Sequence, residues 1–401
     1  MNRQALARAL EAVALALLAL VLFTLGAGRI ELPVGSFGGH AVKSIPYLLL
    51  SGWAAAWLRS GRVPVQAPLS FSGGMFLALA LVSSVGSTFP YSALKTWLYL
   101  LFAFGFYLYL SNLRVGRRQV EVLWGAFLLG HLYLCAVALR QDLGGEVERI
   151  RGTFGHFNLL AGYLLLALPV LLYLSRHVKR WPRYGLYALA LVSLYLLFRT
   201  YSRAAMVGAV AEIVFMGWAG RGAVRRVALA ALFVMAGLLA AFHTTLAVRF
   251  GEIRAELRDP LPLSRVNLWK GSVEMLAAHP ERLVFGQGWG DAFGHELAGT
   301  RVGFSHPMLA ERYTHAHNLY MHLLLAFGAA GLFAFLRMIG GWLRHLRPAR
   351  DDPRVFLCAG VLAFLVHGCF DVMLTAGNLP LALFALLALG SRSSCDYDYA
   401  S

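Results

Sequence analysis

The stretch YTHAHNLYMHLLLAFGAAG, Tyr313 to Gly331, sets two histidines at the mouth of an apolar run long enough to be a membrane helix. At about 3.6 residues per turn and 1.5 Å rise, His317, Met321, Leu324, Gly328 and Gly331 fall on one face. The spacing thus predicts an imidazole heading a stripe whose lower part has no side chains and packs closely against neighbouring helices. His315 and His317 have two readings at this point: markers of a membrane interface, or reactive groups, since an imidazole titrates near neutrality.

The rest of the chain is of the same kind. Of 401 residues, 59% are hydrophobic and 14% charged, with mean hydropathy +0.63, whereas soluble domains carry about 25% charged residues. The apolar runs are about 17 to 25 residues long, enough to cross hydrocarbon as helices and unlike the short alternating strands of an outer-membrane barrel. The predicted fold class is all-α: a polytopic membrane protein with about 12 transmembrane helices. Spans are expected near 9–28, 41–58, 70–86, 92–111, 119–140, 156–175, 184–199, 204–219, 224–246, 317–337, 354–372 and 377–390. Residues 1–246 then hold helices 1–9, 247–316 an extramembrane lid, 317–390 helices 10–12, and 391–401 a polar cytoplasmic tail. The first run is long for a secretory signal and lacks a clean small-residue cleavage site, so it reads as a retained span.

A formal charge of +16 from 36 basic and 20 acidic residues would point to nucleic acid in a soluble protein, but here topology accounts for it. With the N-terminus inside, Arg59 and Arg62, the Arg114/Arg117/Arg118 cluster, Arg176/Lys179/Arg180/Arg183, Arg221/Arg225/Arg226 and the run from Arg337 to Arg354 all fall on the cytoplasmic side, as the positive-inside bias requires. No nucleic-acid partner follows. Glu146, Glu148, Glu252, Glu256 and Asp259 fall outside. Cys135, Cys358, Cys369 and Cys395 have no metal-ligand spacing and read as small buried residues.

In the long hydrophilic segment, Ser264 can cap a helix running to about Ala278, with Val266, Trp269, Val273 and Leu276 on its apolar face and Pro280 beyond its end. Gly286, Gly288 and Gly290 follow at alternate positions. No helix completes a dinucleotide fingerprint after them, so they read as turn glycines.

Charges at a membrane edge call for a reason. Arg151 precedes the sixth span, Arg203 opens the eighth, Arg265 opens the lid helix and His317 heads the tenth. The topology puts all four on the outer side. Guanidinium forks bind phosphate oxygens bidentately, and an imidazole can take a proton from a hydroxyl. Their convergence fits the departure of a phosphate leaving group with a base at hand; singly, each arginine reads as a headgroup anchor. No histidine–carboxylate cluster with metal-ligand spacing falls nearby, so no metal and no other cofactor is expected, and the arginines take the role of a divalent cation. Glu212 lies inside the eighth span on roughly the opposite face from Arg203, His367 and Asp371 are spaced to pair with each other, and Asn158 reads as a helix–helix hydrogen bond.

This pattern resembles the O-antigen ligase and polymerase family of bacterial inner-membrane glycosyltransferases. The resemblance lies in His317-Asn318 followed by Gly328 and Gly331, in RGTF and Asn158 from Arg151, in TYSR at Thr200 to Arg203, and in Ser264-Arg265, Trp269, His279-Pro280 and the glycines 286 to 290. It implies a GT-C-like helical enzyme with a periplasmic lid between spans 9 and 10, working in the inner membrane. The implied reaction is a metal-independent inverting transfer of glycan from undecaprenyl diphosphate onto a sugar hydroxyl of lipid A-core. His317 would then be the general base, Arg203 and Arg265 would hold the departing diphosphate, Arg151 would help bind it, and His315, Asn318, Gly328 and Gly331 would support the site. Phe157 stands where many relatives have proline. An O-antigen polymerase or a protein O-oligosaccharyltransferase would use the same donor. A transporter is a third class, but no inverted repeat or matched pair of broken helices is apparent.

Overall fold

Each segment expected to cross the membrane contains a helix. The computed structural model describes residues 2–32, 35–38, 41–145, 148–258, 264–304, 307–374 and 378–391. In the first half the helices are α1 (Arg3–Ala27), α2 (Ile45–Ser60), α3 (Ser70–Val85), α4 (Pro90–Asn112), α5 (Arg117–Leu143), α6 (Phe157–Ser175), α7 (Arg180–Arg199), α8 (Arg203–Ala219) and α9 (Gly222–Ala241). After them come α10 (His243–Arg258), α11 (Arg265–Ala278), the short α12 (Arg282–Phe285), α13 (Ala292–Ala298), α14 (Arg301–Phe304) and α15 (Pro307–Ala310), then α16 (Leu319–Leu346), α17 (Arg354–Gly368) and α18 (Leu379–Ser391). Helices α1, α4, α5, α6, α9 and α16 are long and apolar enough to cross a membrane, and α3, α17 and α18 are shorter apolar helices. The chain is a polytopic helical membrane protein. One departure from the all-α expectation is a small antiparallel hairpin of β1 (Arg29–Leu32) and β2 (Gly35–Gly38). Glu146, Asp259 and the tail beyond Ser391, with Cys395, lie outside the described residues.

Helix α6 is apolar on every side, as a helix surrounded by protein must be, and it is buried continuously from Leu160 to Ser175. It packs against α7, α17, α18 and α8, while α1 pairs with α2 and α5, and α3 with α16. At one end the basic connections tie together: Arg3 Nε donates to Leu58 O at 2.8 Å, Arg59 pairs with Glu11, and Arg221 N donates to Arg350 O at 2.6 Å. At the other end Thr153 Oγ1 donates to Gly26 O and Asn378 Nδ2 to Thr24 O, each at 2.7 Å. The segment expected to form the lid, α11 to α15, meets the bundle at this second end.

The expected smooth stripe on α16 is not what forms. His317 precedes the helix, with Asn318 as its N-cap accepting from Met321 N at 3.0 Å. At Gly328 the backbone leaves the helix (φ 69°, ψ −177°), so α16 is two helices joined at a bend. The segment after α12 uses the opening: Gln287 N donates to Leu325 O at 2.9 Å and Gly288 N to Ala326 O at 2.8 Å, while Ser83 Oγ donates to the same Ala326 carbonyl. Carbonyls freed by the bend are thereby satisfied from outside the helix. What approaches Gly328 is thus lid backbone, since a Cβ there would sit 2.1 Å from Val284 O, and Gly331 is covered by its own neighbour Phe327. Gly286, Gly288 and Gly290 are turn glycines, with φ of 76°, 84° and 139°.

The lid helix α11 starts at Arg265 behind the Ser264 cap, as expected, but it buries a different face. Leu268, Gly271, Ser272 and Met275 are its buried residues, whereas Val273 is 57% exposed. Gly271 explains the choice: a Cβ there would lie 2.6 Å from Leu297 of α13, so the small side of α11 gives the closer packing.

Candidate active site

Two connections at this second end of the bundle are stitched together by one arginine. Arg149 donates from Nε to Thr200 O at 2.9 Å and from Nη2 to Tyr201 O at 3.2 Å, joining the α5–α6 loop to the turn before Arg203. Its guanidinium lies over the Phe157 ring, 3.2 Å from the centroid. Phe157 is the first residue of α6 and His156 its N-cap, whose Nδ1 accepts from Asn158 N at 3.2 Å. Proline suits that first helical position, so phenylalanine leaves the turn intact and gives Arg149 a ring to cover. Glu212 is buried in α8.

Asn158 carries the network across the bundle. Its Nδ2 donates to Asp371 Oδ2 at 2.7 Å, so the helix–helix hydrogen bond expected of it runs instead from α6 to the non-helical turn after α17. The other carboxylate oxygen, Oδ1, lies 3.2 Å from His317 Nδ1 and accepts from Val372 N at 2.8 Å. The expected pairing of Asp371 with His367 is therefore corrected: the Asp371 side chain goes to His317 and Asn158, and neither His367 ring nitrogen has a hydrogen-bond partner among the described residues. The non-helical turn at 369–374 swings the carboxylate away from the helical i, i+4 position. Burial opposes ionisation of Asp371, but the hydrogen bond from His317 and the nearby histidines outweigh it and hold the carboxyl well below its usual range.

His317 is held by one nitrogen of its ring. Its backbone has φ 49°, and the other non-glycine residues with positive φ are Tyr201 (φ 48°), of the turn before Arg203, and Arg347 (φ 25°) at the end of α16. Such residues concentrate at functional sites. With Nδ1–H directed at Asp371, Nε2 keeps its lone pair, and the side chain is 25% exposed. The His315 ring stands edge-on at 4.4 Å, its Nδ1 facing His317 N at 3.4 Å. Desolvation pushes the His315 ring down to about 4, helped by His317 and opposed by Asp371. Burial also lowers His156, against the pull of Asp371 and with the charges of Arg149, His317 and Arg265.

Helix α11 brings an arginine to this cluster. Trp269 Nε1 donates to Ala316 O at 3.1 Å, clamping the backbone between the two histidines. Arg265 is one turn before Trp269, on the same face of α11, and lies within electrostatic range of His156 and His367. Of the expected residues, His317, His315 and Arg265 thus come together, and Asn318 fixes the turn by donating from Nδ2 to Cys369 O at 3.0 Å. Arg203 is the first residue of α8, with Nη1 4.0 Å from Glu252 of α10, and Arg151 is exposed on the α5–α6 loop, its backbone N on Gln141. Sequence reading missed Arg149 and the partnership of Asp371 with His317. It also found no histidine–carboxylate cluster, whereas His315, His317 and Asp371 present one ligand atom each within 4.8 Å of one another. Asp371 is 54 residues from His317 in the chain, so spacing could not reveal the cluster.

Residues 188–336 match the family model described as O-Antigen ligase. Over that segment, less than half of the chain, the protein is similar to the O-antigen ligase family. Comparison with curated proteins gives no match. Members of the family are membrane-bound ligases and polymerases of the glycosyltransferase kind, acting on lipid-linked glycans. The O-antigen ligase match contains Arg203, Arg265, the histidines 315 and 317, and the glycines 328 and 331; Arg151, Asn158 and Asp371 lie outside it.

Proposed function

We propose that the protein is an O-antigen ligase that transfers glycan from undecaprenyl diphosphate to a sugar hydroxyl of lipid A-core, at the periplasmic face of the inner membrane and without metal assistance. The observation that carries this reading is the 3.2 Å approach of His317 Nδ1 to Asp371, beside the lid arginine. Asp371 orients the ring and stabilises it once protonated, so that Nε2 serves as general base. The acceptor hydroxyl gives its proton to Nε2 as its oxygen attacks the anomeric carbon. The carbon–oxygen bond to the diphosphate breaks on the opposite face, inverting the centre, and the diphosphate leaves with the bonding electrons. Arg265 and Arg203, with Arg151 near the mouth, neutralise the charge that grows on the leaving group. His315 and Asn318 hold the His317 turn, Gly328 lets the lid seat on α16, and Gly331 makes room for Phe327 beside it.

The test is reconstitution in liposomes with the lipid-linked donor and chelator present. Release of undecaprenyl diphosphate that requires lipid A-core, and that disappears in His317→Ala while donor binding persists, is the expected result. Release that instead requires a second donor glycan marks a polymerase, release that requires a protein acceptor marks a protein glycosyltransferase, and solute movement without cleavage marks a transporter.

A further inference from the structure

Folding gathers a donor set that the linear sequence does not contain. His315, His317 and Asp371 offer two imidazoles and a carboxylate, ligand atoms all within 4.8 Å of one another. That is a set used by zinc sites. A tetrahedral zinc ion with bonds of about 2.0 to 2.1 Å holds its ligand atoms roughly 3.3 Å apart, so the trio has to close by ~1.5 Å at most, which side-chain rotation can supply. His322 is a second, independent observation. It is 1% exposed, its ring centroid is 6.3 Å from that of His315, and neither ring nitrogen has a hydrogen-bond partner among the described residues. Buried polar groups without partners are rare. A cation held beside His315 would give this ring a ligand-bond or a metal-bound water to engage.

We infer that His315, His317 and Asp371 form a binding site for a late first-row transition-metal dication, with Zn2+ the best fit, and that its occupancy blocks transfer. The site rests on geometry; the blocking rests on the base role proposed for His317. A metal on the His317 ring occupies a lone pair, and a metal on Asp371 withdraws the carboxylate that orients that ring. Magnesium, which demands near-octahedral oxygen coordination, does not suit two imidazoles.

The experiment is calorimetric titration of the full chain in nanodiscs with ZnCl2 and, separately, MgCl2, alongside transfer measured with and without zinc. One Zn2+ bound per chain, no Mg2+ binding, and affinity reduced at least about tenfold in both His315→Gln and Asp371→Asn are expected. Transfer that falls as this site fills and recovers with chelator is expected as well. Should either variant fail to fold, zinc K-edge absorption of the wild-type complex takes its place: a shell of imidazole nitrogen and oxygen supports the site, and one containing sulfur or lacking imidazole overturns it. Equal binding by wild type and both folded variants also overturns the site. Zinc bound there with transfer undiminished, or chelation that abolishes transfer, overturns the blocking while leaving the site standing.

Discussion

His317 Nδ1 lies 3.2 Å from Asp371 Oδ1, and the second oxygen of the same carboxylate is held by Asn158 Nδ2 at 2.7 Å. A residue before α16 is thereby oriented by a residue after α17, which is itself fixed from α6. Replacing Asp371 by Asn keeps the shape but removes the acceptor that selects the His317 tautomer. Transfer by Asp371→Asn is expected to fall on the order of 10² to 10⁴-fold with donor affinity changed little. Single-turnover kinetics and donor binding measured side by side check this, and an unchanged turnover removes the dyad from the mechanism.

Arg265 tests how charge on the leaving group is met. Lysine at this position keeps the charge but loses the planar fork, so Arg265→Lys is expected to lose about tenfold or more in transfer, mostly by weaker donor engagement. Wild-type rates in a folded Arg265→Lys preparation would eliminate the bidentate role.

Gly328 is where lid and helix share backbone. At φ 69° a side chain is strained by about 1 to 2 kcal/mol, and its Cβ would collide with Val284 O at 2.1 Å. Gly328→Ala is expected to unseat the Phe285–Gly290 segment and lower the melting temperature, with faster proteolysis within 279–291. Gly340→Ala, where a Cβ meets nothing within 4 Å, is the neutral control.

Phe157 offers the opposite case. It is the first residue of α6, and His156 before it is already extended at φ −145° and ψ 142°, the region that a following proline requires. Phe157→Pro is expected to fold and to lose the Arg149 stacking, about 0.5 to 2 kcal/mol, together with the ring contact to His156. Denaturation midpoints will decide; a collapse of expression would show that the ring does more.

Acid should weaken the fold in two stages. The His315 ring is pushed down to about 4 from an ordinary 6.5, so the unfolded chain takes up its proton first. The stability that neutral His315 contributes is complete above about pH 6.5 and is lost as pH falls toward about 4; His156 acts in the same direction. Asp371 is shifted down instead, so its contribution holds above the usual carboxylate range and goes only in stronger acid. Melting curves from about pH 7.5 down to 4.5 are expected to fall, with a shallower slope in His315→Gln. Parallel slopes would mean that this ring is not buried as described.

The sequence by itself determined the helices, their alternation and that Arg151, Arg203, Arg265 and His317 belong to connections at one end of the bundle. These are local properties: an apolar run long enough to cross hydrocarbon and a basic loop on one side are written in consecutive residues. It also fixed the Ser264 cap and the turn glycines, whose conformations depend on immediate neighbours. Only tertiary structure decided which polar groups pair. Asp371 stands 54 residues from His317 and 213 from Asn158, and the rotation and register of separate helices settle such partners. The bend at Gly328 and the buried face of α11 were decided in the same way, by the close approach of another segment, which no periodicity within one helix records.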